Sequence, residues 1–251
     1  MPWLTQLATV ARRTGYPVTE MSGWKGRGHG PQPEVQGVVC HHTAGPAGGG
    51  DYPSLAVVRD GRPDLDGPLS HFGLGRSGRI YVIAAGRCWH NAPSTSPMHD
   101  NSSSLGIEAE NNGTQPWPDE QLDAYRKLCA ELCQEFRLGA SRIVGHKEVN
   151  RQKPDPHGVD MDDFRADIAR LIKAGNSDGW PGRLLRYPPT TRGTDVRDWQ
   201  QAAVRLGYEL DVDGAYGADS REVCRKIQRG AGLDDDGVVG RLTWAATFHA
   251  R

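Results

Sequence analysis

The sequence predicts an α/β domain followed by a smaller helical one, and three observations predict it. Short runs rich in β-branched residues alternate with helical patterns up to about residue 173. The stretch 174–194, from Ala-Gly-Asn-Ser-Asp-Gly-Trp-Pro-Gly to Tyr-Pro-Pro-Thr-Thr-Arg-Gly-Thr, is dense in Gly, Pro and Thr without helical or strand periodicity. That composition marks a linker. Beyond it, Asp213-Gly-Ala-Tyr-Gly217 recurs as Asp236-Gly-Val-Val-Gly240, and each copy leads into a short helical pattern. The resulting division is an N-terminal extension over 1–34, an α/β domain over 35–174, a linker over 175–193 and a C-terminal domain over 194–251.

Each element has its own reason. The extension carries a short helical pattern through Arg13 and then a Gly-rich loop. Its start lacks an early basic cluster, and its apolar run is broken by Thr5, Gln6 and Thr9, so it does not read as a signal peptide. Residues 35–42, 79–83, 104–110 and 142–144 read as strands. Over 119–136, Leu122, Tyr125, Leu128, Cys129, Leu132, Cys133 and Phe136 recur at helical spacing, with Asp119 and Glu120 in the first turn. Over 160–173, Met161, Phe164, Ile168, Leu171 and Ile172 do the same. In the tail, 220–228 and 243–249 are short helices, each preceded by an Asp-Gly turn suited to positive φ and a Ser or Thr suited to an N-cap. A calcium loop starting at Glu209 is excluded, because its twelfth position is Ser220 where a bidentate Glu is required.

Composition narrows the function classes. Thirty basic and 31 acidic residues leave a formal charge of −1, without the basic surplus of a protein that binds nucleic acid by neutralising phosphates. No run approaches the 18 or so apolar residues that cross a bilayer, so membrane insertion is not expected. The 32 Gly and 17 Pro predict long loops around modest regular structure. Five Cys without framework spacing read as reduced thiols of a protein made in a cytosol, and Cys129 and Cys133 as small buried side chains. The chain is expected to act as a monomer.

Three segments carry residue types with chemistry. Val38-Val39-Cys40-His41-His42-Thr43 is a strand ending in two His, and alternation lets only one of them face a given site. Val144-Gly145-His146 is followed by Lys153 and Asp155 in a Pro-bounded loop. Glu108 and Glu110 alternate on a strand and share a face. Two His and a carboxylate are ligands of a catalytic zinc, which keeps a further position for water and lowers its pKa to about 7. A second carboxylate then serves as base, and a cation meets the developing oxyanion. On spacing alone, a metallohydrolase and a set of unconnected strand-end and loop histidines both remain open.

The blocks Val-Val-Cys-His41-His42-Thr-Ala-Gly, Ser70-His71-Phe72, Gly78-Arg-Ile-Tyr, Cys88-Trp89-His90-Asn91-Ala92, Ser104-Leu-Gly-Ile-Glu108 and Gly145-His146 with Lys153-Pro-Asp155-Pro fall in order over 35–172. Together they resemble the type-2 N-acetylmuramoyl-L-alanine amidases, a family shared with peptidoglycan recognition proteins. The resemblance implies a central mixed β-sheet flanked by helices, and hydrolysis of the amide between N-acetylmuramic acid and L-Ala of peptidoglycan. It implies Zn2+ as cofactor, held by His41, His146 and Asp155. Ser70 occupies the position where part of the family has a Tyr, so the base is Glu108, and Lys153 stabilises the oxyanion. His157 stands as a rival third ligand, because the loop between His146 and Lys153 is a residue shorter than in the nearest Lys-x-Asp relatives. Thr43, Trp89, His90 and Asn91 are expected to bind substrate, His42 and His71 to be structural or to support the ligands, and His29 and His99 to lie in loops.

The tail has a second resemblance. Val196-Arg-Asp-Trp199-Gln200, Leu206-Gly-Tyr, the two Asp-Gly-x-x-Gly turns and Thr243-Trp244 are similar to the peptidoglycan-binding domain 1 module. That implies a three-helix unit with bacterial peptidoglycan as partner. The whole then resembles a phage endolysin, made in the host cytoplasm without a leader and acting on the wall after release. An inactive recognition protein, or a zinc peptidase cutting within the stem peptide, is the alternative.

Overall fold

The structure, a computed structural model, describes residues 3–177 and 180–248, and of 174–177 the backbone alone. His249, expected at a helix end, and 178–179 in the expected linker lie outside the described residues. The chain forms two compact units, one up to Ile172 and one from Lys173.

The first unit begins with α1 (Leu7–Arg12), β1 (Val18–Glu20) and β2 (Gly37–His42). Next come α2 (Leu55–Asp60), a small hairpin of β3 (Gly61–Arg62) and β4 (Leu65–Asp66), β5 (Phe72–Leu74) and β6 (Ile80–Val82). It ends with β7 (Ser104–Ala109), α3 (Asp119–Glu135), β8 (Ile143–Gly145), α4 (His146–Val149) and α5 (Met161–Ser177). Six strands form one sheet in the order β1-β6-β5-β7-β2-β8, parallel throughout except for the β5–β6 pair. The expected mixed α/β sheet is what forms.

Alternation along the central strands separates two faces. Val38 and Cys40 of β2, Leu105 and Ile107 of β7, and Phe72 and Leu74 of β5 join the apolar core with Tyr125, Leu128, Cys129 and Leu132 of α3. The intervening residues, His41, Gly106, Glu108 and Gly73, therefore face the other side. β2 is buried over its whole length, as expected of a strand with parallel neighbours on both edges. The five cysteines are buried free thiols.

Two segments differ from the sequence reading. Residues 3–34 are built into the first unit: Leu4, Leu7, Ala8, Val10 and Ala11 are buried in its core, and β1 pairs with β6. Thr5, Gln6 and Thr9, which interrupt the apolar run, form the more exposed side of an amphipathic turn. Arg13 pairs with Glu135 at 2.7 Å and Tyr16 donates to Asp123 at 2.6 Å, tying the segment to α3. Within the expected linker, α5 continues to Ser177, and Leu185 is fully buried in the second unit, where it bridges Val239.

The second unit contains β9 (Thr191–Arg192), α6 (Thr194–Arg205), β10 (Ala215–Tyr216), α7 (Ala218–Gly230) and α8 (Arg241–Phe248). The three helices enclose Val196, Trp199, Tyr216, Val223, Ile227 and Trp244. The sequence repeat is a repeated structural device. The Gln200 oxygen accepts from the Gly214 N–H (2.8 Å) while its amide donates to Asp213 Oδ1 (2.9 Å) and the Ala215 carbonyl (3.1 Å). Gln228 does the same with Gly237 (2.9 Å), Asp236 (2.8 Å) and Val238 (3.1 Å). Gly214 and Gly237 have φ of 75° and 70°, which is why each turn carries glycine.

Candidate metal centre

The site lies at the carboxyl ends of β2, β7 and β8, where parallel strands release their chains into loops. His41 is the penultimate residue of β2 and points to the face opposite α3. His146 opens α4 directly after β8. Its entry is fixed from behind, because Glu148 accepts the Gly145 N–H at 2.7 Å and pairs with Arg165 of α5 at 2.9 Å. Asp155 comes from the following loop, which is clamped by backbone contacts. The Lys147 N–H donates to the Asp155 carbonyl at 2.8 Å, and the Lys147 ammonium donates to the carbonyls of Pro156 (3.2 Å) and Val159 (2.8 Å).

These elements bring three donor atoms together. His41 Nδ1 and His146 Nδ1 are 2.9 Å apart, and Asp155 Oδ2 lies 3.0 Å from His146 Nδ1 and 3.3 Å from His41 Nδ1. They are the group of three or more ligating side chains found among the described residues, and all three are buried. Ligands of a tetrahedral zinc, at about 2.0 to 2.1 Å from the metal, lie about 3.3 to 3.4 Å from one another. The observed triangle is close to that size, and two imidazoles with a carboxylate are a zinc donor set, so these residues fit the ion. Burial pushes His41 down to about 4, against the pull of the nearby Asp155 carboxylate, which favours the protonated form. Burial also raises the Asp155 carboxyl, but its contacts with His146 and His41 outweigh that and hold it below the usual carboxylate range. His41 and Asp155 are thus held in the deprotonated form that binds a metal.

Glu108 is the in-register partner of His41 on the adjacent parallel strand, so the two side chains stand side by side on one face. Its Oε2 is buried and has no hydrogen-bond partner. Burial raises its pKa well above the usual carboxylate value, the Asp155 charge adds to the rise, and the Lys153 and Arg62 charges oppose it. Tyr52, stacked on Tyr81, donates to the Glu108 carbonyl at 3.0 Å and fixes the strand there. A side chain at Gly73 would run into the Tyr52 ring. Lys153 is exposed, and its charge also acts on His41.

The remaining expected residues make contacts of their own. Glu110 binds Thr43 Oγ1 (2.9 Å) and the N–H and hydroxyl of Ser54 (2.9 and 3.0 Å), so Thr43 ties down the loop after β2. His42 accepts the His157 N–H at 3.1 Å on the far side of β2, while the His157 side chain is exposed and outside the ligand group. Trp89 is 37% exposed and stacks on His29 with ring centroids 3.7 Å apart. His90 and Asn91, expected to bind substrate, are both buried. The Asn91 amide donates to the His99 carbonyl at 2.6 Å, and the N–H groups of His90 and Asn91 donate to Asn101 Oδ1 at 2.9 and 2.7 Å. His90 Nδ1 instead sits 3.2 Å from His41 Nε2, a contact the sequence reading missed.

A buried His, His and Asp triangle beside an unpartnered carboxylate could hold a metal ion and has the donor set found in metallohydrolases. Residues 31–158 match the N-acetylmuramoyl-L-alanine amidase family and residues 192–246 match the putative peptidoglycan binding domain. The chain belongs to the N-acetylmuramoyl-L-alanine amidase family and carries a peptidoglycan-binding domain behind the amidase domain. It is similar to a probable N-acetylmuramoyl-L-alanine amidase of Bacillus licheniformis, at 25% identity over 239 residues, covering 83% of this chain and 65% of the relative. It is also similar to the 1,6-anhydro-N-acetylmuramyl-L-alanine amidase AmpD of Haemophilus influenzae, at 31% identity over 93 residues, covering 35% of this chain and 50% of the relative. Among solved structures, the N-acetylmuramyl-L-alanine amidase AmiD from E. coli aligns with 88% of this chain and 90% of its own at 19% identity, with a TM-score of 0.45. The chain spans about half to two thirds of the length of the curated relatives it matches.

Proposed function

We propose that this chain is a zinc-dependent N-acetylmuramoyl-L-alanine amidase that hydrolyses the amide between the lactyl group of N-acetylmuramic acid and the L-Ala of the stem peptide. The observation that carries this reading is the donor triangle of His41, His146 and Asp155, with edges of 2.9 to 3.3 Å, next to the unpartnered Glu108 carboxylate. Those three residues would hold the ion. Zinc bound there supplies Lewis acidity toward the scissile carbonyl and makes water a nucleophile near neutral pH.

The chain's own groups supply the remainder. Glu108, buried and with its pKa raised, is a stronger base than an exposed carboxylate, and it accepts the proton of the attacking water before passing it to the leaving amine. The Lys153 ammonium, whose field reaches both His41 and Glu108, stabilises the charge that develops on the carbonyl oxygen. Glu148, Arg165 and Lys147 keep His146 and Asp155 in place without touching the substrate.

We assign catalysis to the α/β unit and wall holding to residues 194–251, which raise the enzyme's effective concentration on an insoluble substrate. Bacterial peptidoglycan is then the partner of both units. A wall hydrolase joined to a wall-binding module suits a phage endolysin that is made in the host cytoplasm and acts on the wall after release, and lysis of susceptible cells by added protein tests that role. The bond is tested by mass spectrometry of digested sacculi. New amino termini on L-Ala with intact glycan support the amidase, whereas cleavage between amino acids, or wall binding without any cleavage, contradicts it.

A further inference from the structure

We propose that His90 is a positioning residue that fixes the tautomer of His41, so that the Nδ1 lone pair of His41 faces the metal. The inference rests on His41 being a zinc ligand, as proposed above.

The argument starts at a backbone carbonyl, which can only accept. His90 Nε2 lies 3.2 Å from the Ser104 carbonyl oxygen. The Ser104 hydroxyl is 3.5 Å from the same nitrogen and gives its own hydrogen to the Asp100 carbonyl at 2.7 Å, so it too meets His90 as an acceptor. His90 must therefore carry its proton on Nε2, and in a neutral imidazole Nδ1 is then the acceptor. The atom facing that acceptor is His41 Nε2, at 3.2 Å, which must be the donor. With its proton on Nε2, His41 is left with a bare Nδ1, the atom 2.9 Å from His146 Nδ1 and 3.3 Å from Asp155 Oδ2. The opposite tautomer would put a proton inside the donor triangle and block the ion. A chain of two hydrogen bonds thus has one direction, set at its far end by the backbone of β7.

The surrounding sequence is built to carry this ring. A Cβ on Gly106 would lie 2.7 Å from His90 Cγ and 3.0 Å from its Nδ1, so β7 needs glycine where the imidazole crosses it. Asn101 anchors the His90 backbone, and His71, whose Nδ1 accepts the Gly106 N–H at 3.1 Å, closes the far side with ring centroids 5.9 Å apart. The other imidazole ligand has no such support: His146 Nε2 is buried without a hydrogen-bond partner. The preset tautomer therefore belongs to His41.

Two measurements on the full chain test this. Long-range nitrogen–proton spectra of the zinc-free and zinc-loaded protein should report the proton on Nε2 of both His90 and His41, and a proton on Nδ1 of His90 would overturn the proposal. Zinc dissociation constants, read by competition with a chromogenic chelator, should weaken about 10- to 100-fold in His90→Ala, the range for loss of a ligand's hydrogen-bond partner. His90→Asn, which returns an acceptor oxygen near the Nδ1 position, should recover most of that, and Gly106→Ala, which displaces the ring and removes no polar group, should weaken binding. Affinity in folded His90→Ala within twofold of wild type would overturn the proposal. Should His90→Ala fail to fold, the wild-type tautomer and the His90→Asn affinity decide. Wild-type protein that bound no zinc would sink the metal assignment itself, a result distinct from zinc binding that ignores His90.

Discussion

His41 and Glu108 occupy paired positions on two adjacent parallel strands, and both side chains leave the sheet on the face that α3 does not cover. One backbone register thus sets the proposed metal ligand beside the proposed base, and neither group depends on a loop for its position. Loops supply only Asp155 and Lys153, and hydrogen bonds from Lys147 hold the loop that carries them.

Separation of ligand from base makes the two roles distinguishable. Glu108→Ala should keep zinc affinity near that of wild type while lowering kcat about 100- to 10,000-fold, the usual range for a general base. Chelator competition and turnover on a soluble muropeptide, measured on the same preparation, check both halves.

Ligand loss should look different. His146→Ala or Asp155→Ala should weaken zinc binding by more than the roughly 100-fold upper range for an outer partner. Activity should then fall in proportion to the zinc lost. A His146→Ala protein that retained one zinc and full turnover would contradict the ligand assignment.

Acid should destabilise the zinc-free protein. Burial pushes His71 down to about 3, so between pH 6.5 and 3 the unfolded chain binds a proton there that the folded chain does not. Stability then rises with pH through that window and is lost as pH falls. From pH 7 to pH 5, His71 alone should cost about 2 kcal/mol, and buried His41, lowered to about 4, acts with the same sign. Urea unfolding at the two pH values, compared with the same pair for His71→Asn, should recover a difference of that size.

The second unit has an independent test. Gln228→Ala removes the group that satisfies the Gly237 N–H and Asp236 in a buried turn, and it should destabilise that unit by about 1 to 3 kcal/mol. Binding to sacculi should weaken while cleavage of soluble muropeptides stays unchanged. Equal loss of both would contradict the division of labour between the units.

Much of the site is legible in the sequence because its chemistry is concentrated at strand ends. His41 closes an apolar run and His146 follows one, Asp155 lies in a Pro-bounded loop, and alternation alone separates His41 from His42. The misreadings have physical causes. Thr5, Gln6 and Thr9 look like breaks in an apolar run until the helical period assigns them to the exposed side of a buried segment. Leu185 sits in a Gly- and Pro-rich stretch whose composition conceals one fully buried anchor. β5 is three residues long with glycine at its centre, too short for a period to register. His90 follows the exposed Trp89 and is itself buried, so its contact with His41 does not register in the sequence. The available signal was Gly106, a glycine between Leu105 and Ile107 in a central strand, which marks a place where another group lies against the backbone.

The central claim, that zinc at His41, His146 and Asp155 drives hydrolysis of the N-acetylmuramoyl-L-alanine amide, is tested most directly on one defined muropeptide. Chelator-stripped protein is compared with the same protein given back one equivalent of zinc, and the products are read by mass spectrometry. The expected result is a free L-Ala amino terminus that forms only after zinc is restored. Equal cleavage without zinc, or cleavage at any other bond, would contradict the account.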